Sequence, residues 1–419
     1  MNDVRTRMLH MARAARRAAR TLAAAGSGVK QRALAGMAEA IEGRTEAILT
    51  ANAEDLDAAR RAGVTGALLD RLALDPRRVA DMARGLRDIA NLPDPIGEVE
   101  HETVRPNGLR VGRMRVPLGV IGMVYESRPN VTADAAGLCL KAGNAVILRG
   151  GSEAHGSNQA IGRAVSEGVR GAGLPAESVQ VVPTPDREAV TELLTLEGML
   201  DCVIPRGGQA FLRWVAETAT VPVIQHGEGN CHVFVDASAD PDRAADIAFN
   251  AKVQRPGVCN AMETLLVHHD VAGALLPKLG ARLREAGVEV RACERARPLL
   301  PGAEAASERD WATEYLDLIL AVRVVDDLDA ALDHIAAYGT GHTEAIVTAA
   351  YAHAERFLRE VDAAAVMVNA STRFSDGAQF GLGAEIGIST QKLHARGPMG
   401  VRELTTTKFV VRGQGQVRA

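Results

Sequence analysis

The sequence predicts an α/β protein with two parallel sheets, each in a domain of its own. From Gly119 onward, short apolar segments alternate with segments of helical composition, which is typical of parallel βαβ units. A second series of this kind begins near Pro241. The 419 residues are 47% hydrophobic and 24% charged, a balance that allows two or three globular domains.

The chain before the first sheet is predicted to be helical. Residues 1–92 are rich in Ala, Arg, Glu and Leu, and Asn91-Leu92-Pro93-Asp94-Pro95 ends this region. Four arginines at helical spacing give the first helix a basic face: Arg13, Arg16, Arg17 and Arg20. Arg-rich amphipathic starts also occur in transit peptides. No serine precedes Ser27, however, and the alanine-rich pattern continues past it, so we interpret the segment as a helix with a solvated basic face.

Two segments outside the α/β series are predicted to be β-structure. Val99–Val116 alternates polar and apolar residues around Pro106-Asn107-Gly108, which predicts a hairpin. Leu404–Val411 is Thr-rich and β-branched, which predicts a terminal strand. Because an exposed strand edge is a liability, we expect this strand to contact another subunit.

The two α/β series supply the strands of the sheets, with a junction near residues 236–242. The first series predicts strands at Val120–Tyr125, Ala145–Arg149, Val179–Val182, Leu200–Ile204 and Val221–Ile224, with helices over 154–171, 186–197 and 209–219. The second predicts strands at Thr264–His268, Val288–Ala292, Leu318–Val325, Glu344–Thr348 and Ala364–Asn369. Such sheets bind ligands at the carboxyl ends of their strands.

Charge and cysteine content exclude several classes of protein. The net charge of -4 argues against binding to nucleic acid or a membrane surface, and no apolar run is long enough to span a membrane. The five cysteines are scattered without a CxxC pair, which indicates reduced thiols in the cytoplasm rather than disulfides or zinc: Cys139, Cys202, Cys231, Cys259 and Cys293. We expect no metal.

Two strand ends followed by small residues are candidate phosphate-binding turns. The GxGxxG fingerprint and the P-loop are absent. Instead, Arg149 leads into Gly150-Gly151-Ser152, and Ile204-Pro205 leads into Arg206-Gly207-Gly208. Each turn opens a helix, whose N-terminus attracts phosphate, and each carries an arginine. Either turn alone is better explained as a strand-to-helix connection, but both together predict a dinucleotide site.

Cys259 is the candidate nucleophile. It follows a Pro-Gly turn and precedes a strand, so that its sulfur can face a cleft. Nearby backbone N–H groups and Asn260 could stabilise a thiolate or an oxyanion. A generic cysteine is more often a small buried hydrophobe, which is how we interpret Cys139, Cys202 and Cys231.

Residues 369–400 form a long segment rich in Gly, Ser and Thr with single charges. Long ordered loops in compact domains are usually functional. Arg373 and Arg396 are therefore candidates for holding an anionic substrate, although a surface arginine is an equal alternative for each.

Several of these segments resemble landmarks of the aldehyde dehydrogenase superfamily. They are Pro117–Gly122, Lys141–Arg149 and the Cys259 loop, in that order. More narrowly, the chain resembles the γ-glutamyl phosphate reductase family over nearly its whole length, through VYESRPNVTADAAGLCLKAGN, ILRGGSEA, PRGG, QRPGVCNAMETLLVH, NASTRFSDG and EIGISTQKLHARGPMG.

The resemblance implies an aldehyde-dehydrogenase-like fold with three functional parts. A Rossmann-like cofactor domain without the glycine fingerprint would comprise 1–97 and 116–238. A catalytic domain would comprise 239–400, and a β-flap for oligomerisation would comprise 98–115 and 401–419. We therefore expect a homo-oligomer.

The resemblance also implies roles for single residues. Arg149 stands where a lysine contacts the adenosine ribose, and Glu314 aligns with the glutamate that holds the nicotinamide ribose. His226 stands where other members have the glutamate that activates water, although Glu228 leaves the alignment open. The partner that completes the oxyanion hole also stays open among Glu126, Ser127 and Asn130.

The implied activity is the NADPH-dependent reduction of γ-glutamyl phosphate to glutamate 5-semialdehyde and phosphate. It would proceed through a thioester on Cys259 and would be the second step of proline biosynthesis from glutamate. Glutamate 5-kinase is the implied partner that supplies the substrate. The alternatives are an aldehyde-oxidising or CoA-acylating dehydrogenase of the same superfamily, and a non-catalytic relative.

Overall fold

The computed structural model describes residues 3–225 and 227–418, and the chain divides into two compact units. The first unit contains the described residues up to Gln225, together with Gly381–Gly387 and the described residues from Met399 onward. The second unit contains residues 227–380 and Ile388–Pro398. None of the helices in the described residues has the length and apolar character needed to cross a membrane.

The first unit begins with the helical region that the composition predicts. Its helices are α1 (Asp3–Ala24), α2 (Ser27–Gly43), α3 (Thr45–Arg61), α4 (Gly66–Leu72) and α5 (Pro76–Asn91). Helix α1 buries Met8 and Leu22, while Arg13, Arg17 and Arg20 are exposed, which confirms the basic face. Helix α5 begins at the Asp75 cap, whose side chain accepts the Arg78 N–H, and ends just before Leu92-Pro93.

A four-stranded parallel sheet follows, in the order β5-β4-β3-β6. Its strands are β3 (Val120–Tyr125), β4 (Ala145–Gly150), β5 (Val179–Val181) and β6 (Cys202–Arg206), and its helices are α6 (Asn130–Lys141), α7 (His155–Gly171), α8 (Glu188–Thr195) and α9 (Gln209–Thr218). The predicted strand Val221–Ile224 is wrong, because this segment forms only an isolated bridge between Val203 and Val223. Pro222 has no N–H to donate, so a ladder cannot extend through it.

A three-stranded antiparallel sheet completes the first unit. Strand β2 (Arg110–Pro117) lies between β1 (Val99–Val104) and β16 (Thr405–Arg412). The pairing of β2 with β16 runs from Thr405 opposite Pro117 to Arg412 opposite Arg110. The predicted hairpin and terminal strand are thus confirmed, and they belong to one sheet.

The second unit is built on a seven-stranded parallel sheet, in the order β10-β9-β11-β8-β7-β12-β13. Its strands are β7 (Cys231–Val235), β8 (Met262–His268), β9 (Glu289–Ala292), β10 (Glu304–Ala305), β11 (Ile319–Val325), β12 (Thr343–Val347) and β13 (Ala365–Val368). Its helices are α10 (Pro241–Val253), α11 (His269–Glu285), α12 (Glu308–Trp311), α13 (Leu328–Tyr338) and α14 (Tyr351–Glu360). Two short paired strands, β14 (Ile388–Ser389) and β15 (Gly397–Pro398), complete it.

Strand β7 is the element of this sheet that the sequence interpretation missed. It is buried along its whole length and lies between β8 and β12. The second series predicted from the sequence begins at Pro241, after β7 has ended. The polar His232 leaves β7 an apolar run of only three residues, Val233–Val235, which is shorter than the runs that predict a buried strand.

Candidate active site

Cys259 lies in the loop between α10 and β8, and its side chain is partly exposed. The Ala261 N–H donates to the Val258 carbonyl at 3.0 Å, which closes a turn around the cysteine. Cys231 packs against this turn, and its Sγ donates to the Cys259 carbonyl oxygen at 3.2 Å. Burial raises the pKa of the Cys231 thiol well above its usual value, so this sulfur stays a neutral thiol. Cys139 and Cys202 are buried as well, as predicted.

The segment 227–231 lies against the cysteine loop and is fixed by hydrogen bonds. The Gly227 N–H donates to Thr390 Oγ1 at 2.8 Å, and the Asn230 N–H donates to Thr340 Oγ1 at 3.1 Å. A Cβ on Gly229 would overlap the Cys259 carbonyl oxygen and would lie 2.7 Å from Cys259 Cα. Glycine is therefore required at 229. His226 lies outside the described residues.

Asn260 and Arg373 join the cysteine loop to the turn that follows β13. Asn260 is buried, and its Nδ2 donates to the Ser375 carbonyl at 2.8 Å. Arg373 donates from Nη1 to Asn260 Oδ1 and from Nε to Gln254 Oε1, the latter at 2.8 Å. One guanidinium thus binds residues at both ends of the loop that carries Cys259.

Arg373 has charged neighbours of both signs. Burial lowers the pKa of Arg373, and the nearby Arg255 guanidinium lowers it further, whereas Asp376 and Cys259 oppose the shift. Arg255 itself is exposed, four positions before the cysteine. Two guanidinium groups close to a cysteine favour its thiolate form and attract an anionic substrate.

Glu314 lies beside the same glycine segment. Its Oε1 accepts the Gly229 N–H at 2.9 Å. Since Gly229 contacts the Cys259 backbone, Glu314 and Cys259 are separated by this one glycine. The structure therefore brings Cys259, Asn260, Arg373 and Glu314 together within the second unit.

Arg396 has a different environment. Its Nη2 lies 2.8 Å from Asp362 Oδ1, and Lys392 contacts the other carboxylate oxygen. These two cations hold the pKa of Asp362 below its usual value. The second candidate for holding the substrate is thus part of an ion cluster with Asp362 and Lys392.

In the first unit, Arg149 at the end of β4 is buried and bound to backbone carbonyls. Its guanidinium donates to the carbonyls of Gly150 and Pro185, the latter at 2.6 Å. A Cβ at Gly150 would overlap the Asn158 amide, so the chain needs glycine there. Ser152 is exposed and opens the 3₁₀ turn that precedes α7.

The N-terminus of α7 is already occupied by a carboxylate. Asp55 Oδ1 accepts the Gly156 N–H at 3.1 Å, and Asp55 Oδ2 accepts the Ser157 N–H at 2.7 Å. A carboxylate at this position takes the N–H groups that a phosphate would use. The Gly150–Ser152 turn therefore offers side chains and loop backbone to a ligand, rather than a free helix end.

The turn before α9 has a contact from a carboxylate, and that contact is to the N-cap residue. Gly208 is its N-cap residue, and the Gly208 N–H donates to Glu126 Oε2 at 3.1 Å. Arg206 donates from Nη1 to the Ile386 carbonyl at 2.8 Å. A Cβ at Gly207 would lie 2.7 Å from the Phe211 ring, which makes this turn tight.

Glu126, Ser127 and Asn130, the three candidates for the partner that completes the oxyanion hole, each form a hydrogen bond within the first unit. Besides the contact from Glu126 to Gly208, both the N–H and the Oγ of Ser127 donate to Glu153 Oε1 at 2.7 Å. Asn130 Nδ2 donates to Asp134 Oδ2 at 3.0 Å.

One cluster of possible metal ligands lies at the start of α11, where His268, His269 and Asp270 bring their ligand atoms within 4.8 Å of one another. His268 Nδ1 accepts the Asp270 N–H and so caps the helix. The positive end of the helix dipole disfavours a cation at this position.

Sequence reasoning missed three contributors to the site. Gln254 accepts a hydrogen bond from Arg373, and Gly229 leaves space for the Cys259 backbone. The third contributor is the buried Lys252–Glu263 pair at the base of the cysteine loop, whose Nζ and Oε2 atoms are 2.5 Å apart. The signal for the last was present, since Glu263 interrupts the apolar run Ala-Met-Glu-Thr-Leu-Leu-Val and charged residues are rarely buried without a partner. The other two depend on contacts between distant segments.

Comparisons with known proteins identify the family of the chain. The model of the aldehyde dehydrogenase family matches residues 4–296. A γ-glutamyl phosphate reductase of Moorella thermoacetica is 62% identical over 96% of this chain and 97% of the relative. That of Halothermothrix orenii is 56% identical over 99% of this chain and 100% of the relative.

Solved structures give the same result. The crystal structure of γ-glutamyl phosphate reductase from Thermotoga maritima has a TM-score of 0.96 at 50% identity and covers 98% of this chain and 100% of that chain. An acetylating aldehyde dehydrogenase of Geobacillus thermoglucosidasius has a TM-score of 0.71 at 17% identity, covers 99% of this chain and 98% of that chain, and shares the fold alone. The predicted aldehyde-dehydrogenase-like fold is confirmed. The chain belongs to the aldehyde dehydrogenase family and, within it, to the γ-glutamyl phosphate reductases.

Proposed function

We propose that this chain reduces γ-glutamyl phosphate to glutamate 5-semialdehyde and phosphate with NADPH, the second step of proline biosynthesis from glutamate. The observation that carries the proposal is the Cys259 loop, held by Arg373 at both ends in a chain that is 62% identical to a γ-glutamyl phosphate reductase over nearly its full length. Membership of the aldehyde dehydrogenase family supports oxidoreductase chemistry with a nicotinamide cofactor.

The acylation step uses the residues of the second unit. The Cys259 thiolate attacks the acyl carbon of γ-glutamyl phosphate, a thioester forms, and the carbon–oxygen bond to phosphate breaks. Phosphate is a good leaving group, so no strong general acid is required. Arg373 holds the substrate carboxylate or phosphate, with Arg396 as the second candidate, and the Arg373 guanidinium also favours the thiolate.

The reduction step requires a stabilised oxyanion. When bound, the nicotinamide cofactor supplies the hydride that reduces the thioester. The Cys259 backbone N–H and Asn260 stabilise the oxyanion of the thiohemiacetal, which then collapses to the aldehyde and releases the thiolate. Glu314 orients the nicotinamide ribose from its position beside Gly229.

An acyl-phosphate reductase must keep water away from its thioester. We propose that His226 stands where aldehyde-oxidising members have the glutamate that activates water, the alternative alignment being the one that places Glu228 there. Without that base, phosphate rather than water is the nucleophile that resolves the thioester in the reverse direction. The alternative activities, aldehyde oxidation and CoA acylation, have no such dependence on phosphate.

The first unit fits a dinucleotide cofactor. Arg149 Nε is buried without a hydrogen-bond partner among the described residues, which leaves a donor for a polar ligand group. Arg149, Gly150 and Ser152 would hold the adenosine ribose and its 2′-phosphate, which is the basis for proposing NADPH over NADH. Arg206, Gly207 and Gly208 would place the diphosphate at the N-terminus of α9.

We assign the functional parts accordingly. The proposed parts are residues 1–97 and 116–238 for cofactor binding and 239–400 for catalysis, except that residues 227–238 with β7 belong to the second unit and Gly381–Gly387 to the first. Residues 98–115 and 401–419 form a flap that builds a homo-oligomer, which is supported by the exposed Phe409 on β16. We propose a cytoplasmic location, which the unpaired cysteines support because thiols stay reduced in that compartment. A glutamate 5-kinase supplies the labile acyl phosphate.

The test is the reverse reaction, in which glutamate 5-semialdehyde and NADP⁺ are followed by NADPH absorbance at increasing phosphate concentration. We expect NADPH formation that requires phosphate and is abolished in Cys259→Ser. Cys293→Ser is the matched control, because Cys293 is the other partly exposed cysteine, and it should retain activity. Near-normal activity in Cys259→Ser would rule out the thioester mechanism.

A further inference from the structure

A buried ion pair lies at the base of the loop that carries Cys259. Lys252 Nζ and Glu263 Oε2 are 2.5 Å apart, and both side chains are fully buried. Lys252 belongs to the last turn of α10 and Glu263 to β8, so the pair closes the loop on both sides of the cysteine. Burial lowers the pKa of Lys252 and raises that of Glu263 to about 7, so desolvation disfavours the charged form of each group, and their mutual contact opposes both shifts. An apolar pair of the same volume would often be at least as stable, so stability alone does not account for these charges.

The other carboxylate oxygen of Glu263 binds the turn that carries Glu314. The Leu316 N–H donates to Glu263 Oε1 at 3.2 Å. Leu316 has φ 54°, a left-handed conformation that is unfavourable for a leucine, and its side chain is 45% exposed. Packing of the leucine therefore does not explain its backbone conformation, and the hydrogen bond to Glu263 is the contact that holds it.

Tyr315, between Glu314 and Leu316, is fixed by the same cation. Its ring centroid lies 5.9 Å from Lys252 Nζ and 5.2 Å from the Arg291 guanidinium. Its hydroxyl donates to Asp310 Oδ1 at 2.8 Å. The turn is thus held at two successive residues: Glu263 accepts the Leu316 N–H, and Lys252 is one of three groups that contact Tyr315, beside Arg291 and Asp310.

These contacts form a continuous series that starts and ends at the Cys259 loop. Lys252, at one end of the loop, pairs with Glu263, and Glu263 binds the Leu316 turn. Glu314 in that turn accepts the Gly229 N–H, and Gly229 packs against the Cys259 backbone. The nucleophile and the carboxylate proposed to orient the nicotinamide ribose therefore share one support.

We propose that Glu263, paired with Lys252, is a positioning residue that sets Glu314 relative to Cys259 and thereby the geometry of hydride transfer. The inference rests on the proposed function and deepens it. Glu263 touches no reacting atom in this scheme. Instead, Glu263 fixes the distance and the angle between the hydride acceptor and the thiohemiacetal carbon in the reverse reaction.

The first test uses Glu263→Gln, which preserves the shape of the side chain and removes its charge. In the reverse reaction we expect the KM for NADP⁺ to rise severalfold and kcat to fall roughly 10-fold to 10²-fold, because a misplaced cofactor reduces the population of reactive geometries. With glutamate 5-semialdehyde deuterated at the aldehyde carbon, the primary isotope effect on kcat should rise above that of the wild type, since hydride transfer becomes rate-limiting.

Two further variants separate positioning from stability. Asp94→Asn breaks the buried Lys30–Asp94 pair (2.6 Å) of the first unit and should lower the melting temperature without changing the isotope effect. The double variant Lys252→Met with Glu263→Met removes both charges at nearly constant volume. We expect it to melt at or above the temperature of Glu263→Gln and still to show the raised isotope effect, because the Leu316 N–H has lost its acceptor.

The outcomes are distinct. If Glu263→Gln shows the KM and isotope effect of the wild type, or if the double Met variant recovers full kcat, Glu263 has only a structural role and the inference is wrong. If the wild-type chain itself shows no phosphate-dependent reduction of NADP⁺, the proposed function is what fails.

Discussion

Gly229 has no space for a side chain, because a Cβ there would overlap the Cys259 carbonyl oxygen. In Gly229→Ala the cysteine loop must shift, and displacements of about 1 Å can reduce rates by about 10²-fold. We therefore expect kcat of the reverse reaction to fall by about that factor, with the fold intact by circular dichroism.

Gly227→Ala is the control in the same segment. Its Cβ would lie 3.0 Å from Thr390 Oγ1, a side-chain hydroxyl that can rotate away. We expect a small effect on kcat. Equal losses in the two alanine variants would mean that flexibility of the segment, rather than space for the Cys259 backbone, determines activity.

Arg373 is the arginine whose contacts lie at the nucleophile. Its Nε and Nη1 bind Gln254 and Asn260, and a lysine cannot make both contacts because its ammonium is a single point charge. We expect Arg373→Lys to lower kcat/KM for phosphate by roughly 10²-fold in steady-state assays, because both loop position and anion binding are lost.

Arg396→Lys tests the second candidate in the same assay. Lysine can keep the ion pair with Asp362, so we expect a smaller effect than at Arg373. A larger loss in Arg396→Lys than in Arg373→Lys would transfer the substrate-binding role to Arg396.

At the level of single residues, the sequence could predict which side chain is reactive, but not which groups surround a given site. The Pro-Gly turn before Cys259 distinguishes this cysteine from Cys139 and Cys202, which are buried. The sequence could not show that Asp55 occupies the N-terminus of α7, because 101 residues separate Asp55 from Gly156 along the chain. Contacts of that kind depend on tertiary packing rather than on local pattern.

Helix α13 presents a buried histidine to the sheet of the second unit. Arg323 donates from Nη1 to His334 Nδ1 at 2.9 Å, and the His232 and His334 rings are 5.3 Å apart. Burial, His232 and Arg323 together lower the pKa of His334 to about 3. The imidazole is therefore neutral in the folded chain, with its proton on Nε2, since arginine can only donate.

This packing predicts a pH dependence of stability. Between the ordinary histidine pKa of about 6.5 and the folded value, the unfolded chain binds a proton that the folded chain does not. The free energy of unfolding should thus fall as pH decreases through this window, by up to about 1.4 kcal/mol per pH unit for this one group.

Urea unfolding at several pH values between about 6.5 and 4 measures this slope. We expect a shallower slope in His334→Gln than in the wild type, and an unchanged slope in His269→Gln, which removes a surface histidine. An identical slope in the wild type and His334→Gln would show that His334 does not contribute.

At the level of elements, local pattern was sufficient where a strand and its turn are close in sequence. Strand β3 has the predicted bounds, because an apolar run follows Pro117-Leu118-Gly119 and ends at polar residues. Strand β7 was missed, because the polar His232 shortens its apolar run to Val233–Val235. The pairing of β16 with β2 joins Thr405 to Pro117, and no local signal specifies partners so far apart.

At the level of the whole molecule, the antiparallel sheet of β1, β2 and β16 exposes apolar side chains. Phe409 is 72% exposed and Val411 is 56% exposed on the same face of β16. We expect Phe409→Glu to reduce the sedimentation mass of the proposed homo-oligomer, because a charge would be buried in its interface. Lys408→Glu, on the opposite face of the strand, should not; dissociation in Lys408→Glu alone would place the interface on that face.

The retention of the acyl group on Cys259 is the central claim, and a single-turnover experiment without phosphate tests it most directly. Glutamate 5-semialdehyde and excess NADP⁺ are mixed with the chain, NADPH is recorded by stopped flow, and the mass of the Cys259 peptide is measured. We predict a burst of about one NADPH per Cys259, a glutamyl adduct on that cysteine, and turnover only after phosphate is added. Continuous NADPH formation without phosphate, with glutamate as the product, would contradict the account, because it would show that water resolves the thioester.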